Sequence, residues 1–193
     1  MVTPAFRPRR IVILGTSGSG KSTVATALGR LLEVRPMALD ELAQGPNWIQ
    51  VPAHELAEKV TELAAEPQWI ADGNYIDQVS GLLWPRAEMI VWLDLPLRVI
   101  LPRLVRRSLD RIVHRTPMFS GNRETWRALV GRDSVLWWAV RSQRRHVREL
   151  PGRLDVVADT GTCVVRLRSA AEADRWLADM ATASARGLPR ATP

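Results

Sequence analysis

The chain has 193 residues and a net charge of +7, with 46% hydrophobic and 24% charged residues. This length suits one domain with a sizeable core, and no apolar run approaches the roughly 20 residues needed to span a bilayer. The N-terminus lacks the apolar stretch of a secretory signal, a single cysteine excludes an intrachain disulfide, and the three histidines show no metal-ligand spacing. We therefore expect a cytoplasmic protein, either a monomer or a homodimer.

Strand and helix patterns alternate along the chain, which predicts parallel strands joined by crossover helices. In chain order, strands are expected at residues 11–14, 36–39, 68–71, 89–93 and 163–167. Helices are expected at residues 22–32, 54–65, 96–111 and 124–150, with a kink or a late start at Pro102 and with Asn122 as the N-cap of the helix at 124–150. Ser169 and Glu172 form a capping box for a last helix that carries Trp176.

The first strand leads into a phosphate-binding pattern. Residues 15–22 match G-x-x-x-x-G-K-[ST], the Walker A pattern, between an apolar strand and an amphipathic helix. The glycines let backbone N–H groups point at phosphates, Lys21 adds a positive charge, and the Ser22 hydroxyl can bind Mg²⁺. The positive end of the helix faces the same anion. We therefore predict ATP and Mg²⁺ as cofactors. The expected nucleotide-binding residues are Gly15, Thr16, Ser17, Gly18, Ser19, Gly20, Lys21, Ser22 and Thr23.

Three carboxylates, Asp40, Asp72 and Asp94, follow predicted strands at the edge where an open α/β sheet binds its ligand. A Mg–ATP kinase needs one carboxylate near the metal and often a second that orients the acceptor hydroxyl. Each acid could instead only cap the next helix, and this interpretation applies best to Asp94. We assign the magnesium role to Asp72 and the acceptor role to Asp40.

Several segments resemble a known family. Residues 69–75, which contain Asp72-Gly73-Asn74, are similar to the DNA topology modulation proteins, which are adenylate-kinase-like P-loop proteins of poorly defined substrate. Further similar segments are residues 15–22, 39–42, 48, 93–96, 103–107 and 166–169, so that the resemblance spans about residues 11–177. It implies a three-layer α/β/α P-loop kinase fold with a five-stranded parallel sheet and a short lid, and a magnesium-linked role for Asp72. We expect one P-loop kinase-like domain at residues 1–183, with the lid at about 114–132, followed by a flexible tail at 184–193.

Fourteen arginines lie between residues 97 and 153, against four acids, so this half of the chain should face an anion. Arg103 and Arg107 share a helix face, and in adenylate kinases arginines at similar positions contact the transferring phosphoryl group. The resemblance to the adenylate kinase lid makes Arg123, Arg127 and Arg132 lid candidates. Arg168, after the last strand, is expected to contact the nucleotide base. The alternative for each arginine is a solvated helix face.

Nucleic acid is an alternative anionic partner, because Arg141, Arg144, Arg145 and Arg148 form a basic stripe on the helix at 124–150, opposite Val140 and Val147. A base-stacking platform, however, needs exposed aromatic side chains. We predict instead that Trp126, Trp137 and Trp138, which fall at helical spacing, belong to the core. A nucleotide-dependent nucleic-acid-binding regulator is therefore the second hypothesis.

The absence of arginine from residues 36–67 limits the kinds of acceptor substrate that fit the sequence. They contain no arginine and a single cation, Lys59, whereas nucleoside monophosphate kinases bind the acceptor phosphate with arginines in this segment. A phosphate-free hydroxyl acceptor fits better, in a way that resembles shikimate and gluconate kinases, and Trp48 could cover a sugar or an apolar face. Because Arg86 or Arg103 could hold an acceptor phosphate, a nucleoside monophosphate kinase is the third hypothesis. The first hypothesis is a small-molecule kinase: its catalytic residues are Lys21, Asp40, Arg103 and Arg107, and Ser22 and Asp72 hold magnesium.

Overall fold

The computed structural model describes residues 7–129, 131 and 134–185. Its centre is one five-stranded sheet with the order β2-β3-β1-β4-β5, and all neighbouring strands are parallel. The strands are β1 (Arg10–Gly15), β2 (Pro36–Ala38), β3 (Trp69–Asp72), β4 (Met89–Leu93) and β5 (Cys163–Leu167). Every predicted strand is present, with ends that differ by at most one residue.

Seven α-helices connect and cover these strands in the described part of the chain. They are α1 (Lys21–Leu32), α2 (Leu39–Ala43), α3 (Ala53–Ala65), α4 (Ile76–Leu83), α5 (Leu97–Val113), α6 (Val135–Asp159) and α7 (Ala170–Ala185). Short 3₁₀ turns lie at Pro46–Trp48, Trp84–Arg86, Phe119–Gly121 and Trp126–Ala128. None of the described helices is long and apolar enough to cross a membrane.

The three central strands, β3, β1 and β4, are buried on both faces because they are apolar on both sides, whereas the edge strands β2 and β5 are partly exposed. In β1, Ile11 and Ile13 pack with α1, α7 and the start of α5, whereas Val12 and Leu14 pack with α2, α3, α4 and α6. The predicted three-layer α/β/α arrangement around a five-stranded parallel sheet is therefore confirmed.

Helices α2, α4 and α5 differ from the prediction. No helix was predicted at Leu39–Ala43 or at Ile76–Leu83, although Ile76, Val79 and Leu83 recur at helical spacing and are buried. Helix α5 begins at Leu97 and includes Pro102, so a late start is wrong. Pro102 is exposed, and water can therefore reach the carbonyl that its missing N–H leaves without a partner.

Helix α6 differs from the predicted helix at 124–150 at both ends. It begins at Val135, where the Ser134 side chain accepts a hydrogen bond from the Trp137 N–H at 3.2 Å, and it continues through Pro151 to Asp159. Gly131, with φ +108°, lies in the segment that precedes it. A residue of this kind interrupts regular helix, and the described residues 124–129, 131 and 134 do not belong to α6.

The capping box before α7 is present, since Ser169 Oγ accepts from the Glu172 N–H at 3.1 Å. The Glu172 carboxylate accepts from the Arg168 N–H at 2.8 Å. Helix α7 extends to Ala185, so the predicted tail at 184–193 is described only at its first two positions. Residues 186–193 lie outside the described residues.

Candidate active site

The loop between β1 and α1 depends on glycine at two positions. Gly15 has φ +148°, and a Cβ there would lie 2.7 Å from Ser19 Oγ and 2.9 Å from the Leu93 carbonyl oxygen. Gly20, with φ +98°, is the left-handed N-cap residue of α1. The loop closes where the Ser19 N–H donates to the Thr16 carbonyl at 2.9 Å. This curvature, at the N-terminus of a 12-residue helix, is what backbone N–H groups need in order to surround an anion.

Ser22 and Asp72 meet beside this loop. Ser22 Oγ donates to Asp72 Oδ2 at 2.6 Å. Asp72 ends β3, the strand next to β1, and is 5% exposed. Its second oxygen, Oδ1, is buried and has no hydrogen-bond partner within the described residues. A buried carboxylate oxygen without a partner, next to a hydroxyl, fits a hard cation such as Mg²⁺.

A cation at this position would need further ligands. No group of three or more His, Cys, Asp or Glu side chains lies close enough to hold a metal ion by itself, as far as the described residues are concerned. Mg²⁺ commonly keeps several waters and binds through one or two protein oxygens together with substrate phosphates. The Ser22–Asp72 pair therefore fits magnesium that arrives with a polyphosphate.

Lys21, Asp40, Asp72 and Arg107 form a charge cluster near the carboxyl ends of β1, β2 and β3. Burial lowers the pKa of Lys21, and the charges of Asp72 and Asp40 oppose this shift. Burial also raises the pKa of Asp72, against the effects of Lys21 and of the Ser22 hydrogen bond. Partial burial lowers the pKa of Arg107. Phosphate oxygens and Mg²⁺ would stabilise the charged forms that burial disfavours here.

Asp40, in the first turn of α2, is held by a neighbour that the sequence analysis gave no role. The Tyr75 hydroxyl donates to Asp40 Oδ1 at 2.9 Å, and Gln44 Nε2 donates to the Tyr75 oxygen at 3.1 Å. Burial raises the pKa of Tyr75, and the Asp40 charge raises it further, so the phenol stays a donor. Asp40 Oδ2 makes no hydrogen bond to any described residue and can accept one from a hydroxyl. The position of Tyr75, directly after Asp72-Gly73-Asn74, was the available signal.

Helix α6 supports the phosphate loop through side chains on its buried face. Thr16 is fully buried, and its hydroxyl donates to Gln143 Oε1 at 2.6 Å and lies 3.4 Å from His146 Nδ1. Gln143 Nε2 in turn donates to the Leu95 carbonyl at 3.0 Å and to Asp94 Oδ1 at 3.2 Å. Burial lowers the pKa of His146 to about 4, so the imidazole is neutral at pH 7. Gln143 was not predicted to have a role, and His146 was considered only as a metal ligand or catalytic group. The signal that could have identified both is the helical phase of α6, which places polar residues on the inner face.

Asp94 is not a helix cap, and that interpretation is wrong. Helix α5 begins three residues later, with Pro96 at its N-cap position. Asp94 Oδ1 accepts from Gln143, and Oδ2 accepts from Arg166 Nε at 3.0 Å and Nη2 at 2.6 Å. The Arg166 guanidinium lies 4.3 Å from the centre of the Trp92 ring. The carboxylate therefore joins β4, β5 and α6 behind the loop.

Residues 114–129, which belong to the predicted lid at 114–132, are called the lid segment, and residues 40–50, where the sequence predicts acceptor binding, are called the acceptor segment. The two segments are in contact. Asn122 is 6% exposed; its Nδ2 donates to the Gly45 carbonyl at 2.8 Å, and its Oδ1 accepts from the Trp48 N–H at 3.0 Å. Trp48 has φ +60°, a strained conformation for a bulky residue, and this contact holds it. Asn122 is thus committed to a loop contact, and its predicted role as an N-cap is wrong.

The arginines divide into one that joins the charge cluster and others that do not. Arg107 interacts electrostatically with Asp40 and Asp72, and its side chain is exposed like that of Arg103, one turn earlier. Neither arginine makes a side-chain hydrogen bond to a described residue. Arg123, Arg127 and Arg168 are also exposed. Arg132 lies outside the described residues. Arg111, not singled out before, pairs with Glu124 of the lid segment at 2.9 Å.

The prediction that three tryptophans belong to the core is wrong. Trp126, Trp137 and Trp138 are 62%, 46% and 61% exposed. The buried face of α6 consists of Ala139, Gln143, His146, Leu150 and Leu154. Trp126 lies in the 3₁₀ turn at Trp126–Ala128 and not in α6, so it shares no helical face with Trp137 and Trp138. In α6, small and polar residues of the inner face meet the phosphate loop, which leaves Trp137 and Trp138 on the outside.

Comparison with known proteins gives a likeness in structure alone. No family model matches the chain, and no curated protein matches its sequence. A shikimate kinase from Acinetobacter baumannii in complex with shikimate matches with TM-score 0.56 and 16% identity over 96% of this chain and 99% of that one. A shikimate kinase from Bacteroides thetaiotaomicron matches with TM-score 0.54 and 14% identity, over 90% and 97% of the two chains. A gluconokinase from Sinorhizobium meliloti 1021 matches with TM-score 0.52 and 18% identity, over 95% of each chain.

These likenesses cover nearly the whole length of each chain, and they identify the fold. The three-layer α/β/α arrangement with a five-stranded parallel sheet is the P-loop kinase fold.

Proposed function

We propose that this chain is an ATP- and Mg²⁺-dependent phosphotransferase that transfers the γ-phosphate to a hydroxyl group of a small molecule. The observation that carries this proposal is the 2.6 Å hydrogen bond from Ser22 to Asp72, whose second carboxylate oxygen is buried without a partner. A hydroxyl and a carboxylate are the two kinds of group that hold Mg²⁺ on ATP, and their position next to Lys21 and the loop amides supports the proposal.

The charge cluster supplies the remaining roles. The loop amides and Lys21 would hold the triphosphate, and Ser22 and Asp72 would hold the magnesium and its waters. Arg107 would neutralise charge on the transferring group, because phosphoryl transfer depends on alignment and charge stabilisation. Asp40, which Tyr75 holds through Oδ1, would accept a hydrogen bond from the acceptor hydroxyl through Oδ2. Of the two arginines proposed on α5, the electrostatics favour Arg107 over Arg103.

An uncharged acceptor is the better fit to the acceptor segment. Residues 40–50 contain no lysine or arginine. Arg111 approaches from α5, but Glu124 already neutralises it at 2.9 Å. A cavity of about 450 Å³ beside α2 is lined by Glu41 and Arg111 and by the lid residues Met118, Phe119 and Ser120. A polyhydroxylated molecule without phosphate suits this lining better than a nucleoside monophosphate does.

The test is ATP consumption, with Mg²⁺, against a panel of hydroxyl metabolites and nucleoside monophosphates. We expect turnover with a phosphate-free hydroxyl compound. ADP formation that depends on AMP, CMP or UMP alone would replace this proposal with a nucleoside monophosphate kinase. The same assay with GTP in place of ATP would establish which nucleotide the chain prefers.

Three variants separate binding from transfer. Lys21→Ala should abolish ATP binding, measured by calorimetry, whereas Asp40→Asn should keep ATP affinity and lose transfer. Asp155→Asn, which removes an exposed carboxylate on α6, is the charge-matched control and should change neither. Equal loss of ATP affinity in Asp40→Asn and Lys21→Ala would contradict the acceptor role of Asp40.

A further inference from the structure

The outer face of α6 combines exposed aromatic rings with free positive charge. We call the set Trp137, Trp138, Arg141, Arg144 and Arg148 the tryptophan–arginine face. All five side chains are exposed, and they lie on the side of α6 opposite its buried residues. From residue 137 to residue 148 the helix rises by about 16 Å, so the face is a narrow strip along one side of the helix.

Much of the charge on this face is not neutralised by the protein. Arg145, the neighbouring arginine, pairs with Asp77 at 2.6 Å and with Glu149 at 2.7 Å. Arg148 pairs with Glu149 at 2.8 Å. Arg141 and Arg144, by contrast, make no ion pair with any described residue. Two guanidinium groups next to two exposed indole rings are complementary to a partner that carries both anionic groups and flat apolar surface.

We propose that the tryptophan–arginine face binds single-stranded nucleic acid, with bases stacked on Trp137 and Trp138 and phosphates paired with Arg141, Arg144 and Arg148. Bases of a single strand offer free π-faces, and each stacked base contributes about 5- to 150-fold in affinity. Bases in a duplex are already stacked on one another, so the tryptophans would add nothing there. This surface lies on the opposite side of α6 from Gln143 and His146, and the inference does not depend on the proposed kinase activity.

Two other occupants fit the face less well. A helix that lies on an anionic membrane needs an apolar centre with cations at its edges along its length, whereas here the two tryptophans occupy one end of the strip and the arginines follow them along the helix. A second copy of the chain would bring the same positive strip against itself, and like charges at contact repel.

The test is fluorescence anisotropy of a labelled oligothymidylate of about 20 nucleotides, titrated with the full chain. We expect binding at low salt whose affinity falls with salt, with a log–log slope of about −2 for three phosphate contacts on a single strand. Trp137→Ala and Trp138→Ala should each weaken binding by about 5- to 150-fold. The double variant Arg141→Gln/Arg144→Gln should reduce the slope by about 1.4.

Matched controls separate this proposal from a general charge effect and from misfolding. Arg175→Gln removes an exposed arginine from α7, and it should leave affinity and slope unchanged. The Trp and Arg variants should keep the circular dichroism spectrum and the thermal midpoint of the wild type, because all four side chains are exposed.

Four results would overturn the proposal. The first is the absence of oligothymidylate binding at low salt, and the second is binding that the tryptophan variants leave unchanged. The third is duplex DNA that competes as well as single-stranded DNA does. The fourth is displacement of the labelled oligonucleotide by phosphatidylserine vesicles alone. Sedimentation that shows self-association lost in Trp137→Ala would assign the face to a second copy instead.

Discussion

Gln143 gives the sharpest test of how α6 supports the phosphate loop. Its side chain is 5% exposed and makes three hydrogen bonds, to Thr16, Asp94 and the Leu95 carbonyl. In Gln143→Met the Thr16 hydroxyl can turn to His146, but Asp94 Oδ1 and the Leu95 oxygen lose their donor. Of these two acceptors, the Leu95 oxygen is buried and Asp94 Oδ1 is partly buried. At about 1–3 kcal/mol each they predict a loss of about 2–6 kcal/mol in the free energy of unfolding.

The assay is urea denaturation followed by circular dichroism, together with calorimetric titration of ATP. Gln143→Glu should lose more than Gln143→Met, because a carboxylate would then face Asp94 and the Leu95 oxygen without a proton to donate. Gln78→Met, at an exposed position on α4, is the control and should lie within about 0.5 kcal/mol of the wild type. A Gln143→Met variant as stable as this control would refute the support role.

Three further predictions follow from buried groups and close contacts. Burial lowers the pKa of His146 from 6.5 to about 4; the unfolded chain therefore binds this proton first, and stability should fall as pH drops from about 6.5 to 4, by at most about 3 kcal/mol. His146→Gln should remove this pH-dependent loss of stability. Urea midpoints that depend on pH identically in the variant and the wild type would contradict the prediction. Gly29→Ala should destabilise, although alanine favours helix, because its Cβ would lie 2.6 Å from the Val34 carbonyl oxygen. Gly81→Ala is the control, because its Cβ would lie in open space, and it should stabilise the chain by about 0.5–1 kcal/mol. Both variants are compared by thermal denaturation, and equal shifts of their thermal midpoints would disprove the contact argument. Asn122→Ala should cost about 1–3 kcal/mol and speed proteolysis at residues 44–50, and unchanged cleavage there would show that Asn122 does not hold the lid segment.

The sheet and the phosphate loop could be predicted because their signals are local. A β-branched strand such as Ile11-Val12-Ile13 is recognisable within a few residues, and the glycine spacing of the loop follows from backbone geometry alone. The strand ends also placed Asp40 and Asp72 at one edge of the sheet, since parallel strands have their carboxyl ends together. The structure brings both into one charge cluster with Lys21.

The parts that could not be predicted depend on what each element meets in space. Helical spacing places Trp137 and Trp138 on one side of a helix, but it does not say which side faces inward. That choice depends on Gln143 and His146, whose partner Thr16 lies far away in the sequence. Asp94 was misinterpreted for the same reason, because its partner Arg166 belongs to another strand.

The central position of β1 has a consequence for how the chain acquires its structure. Strand β1 pairs with β3, which begins at Trp69, and with β4, which begins at Met89. Long-range pairings of this kind form late, because closing such loops costs entropy before any contact is gained. During synthesis, the first 60 residues would contain the complete phosphate loop at residues 15–22. They would lack β3 and β4, the strands that must pair with β1 before the loop can take its folded conformation.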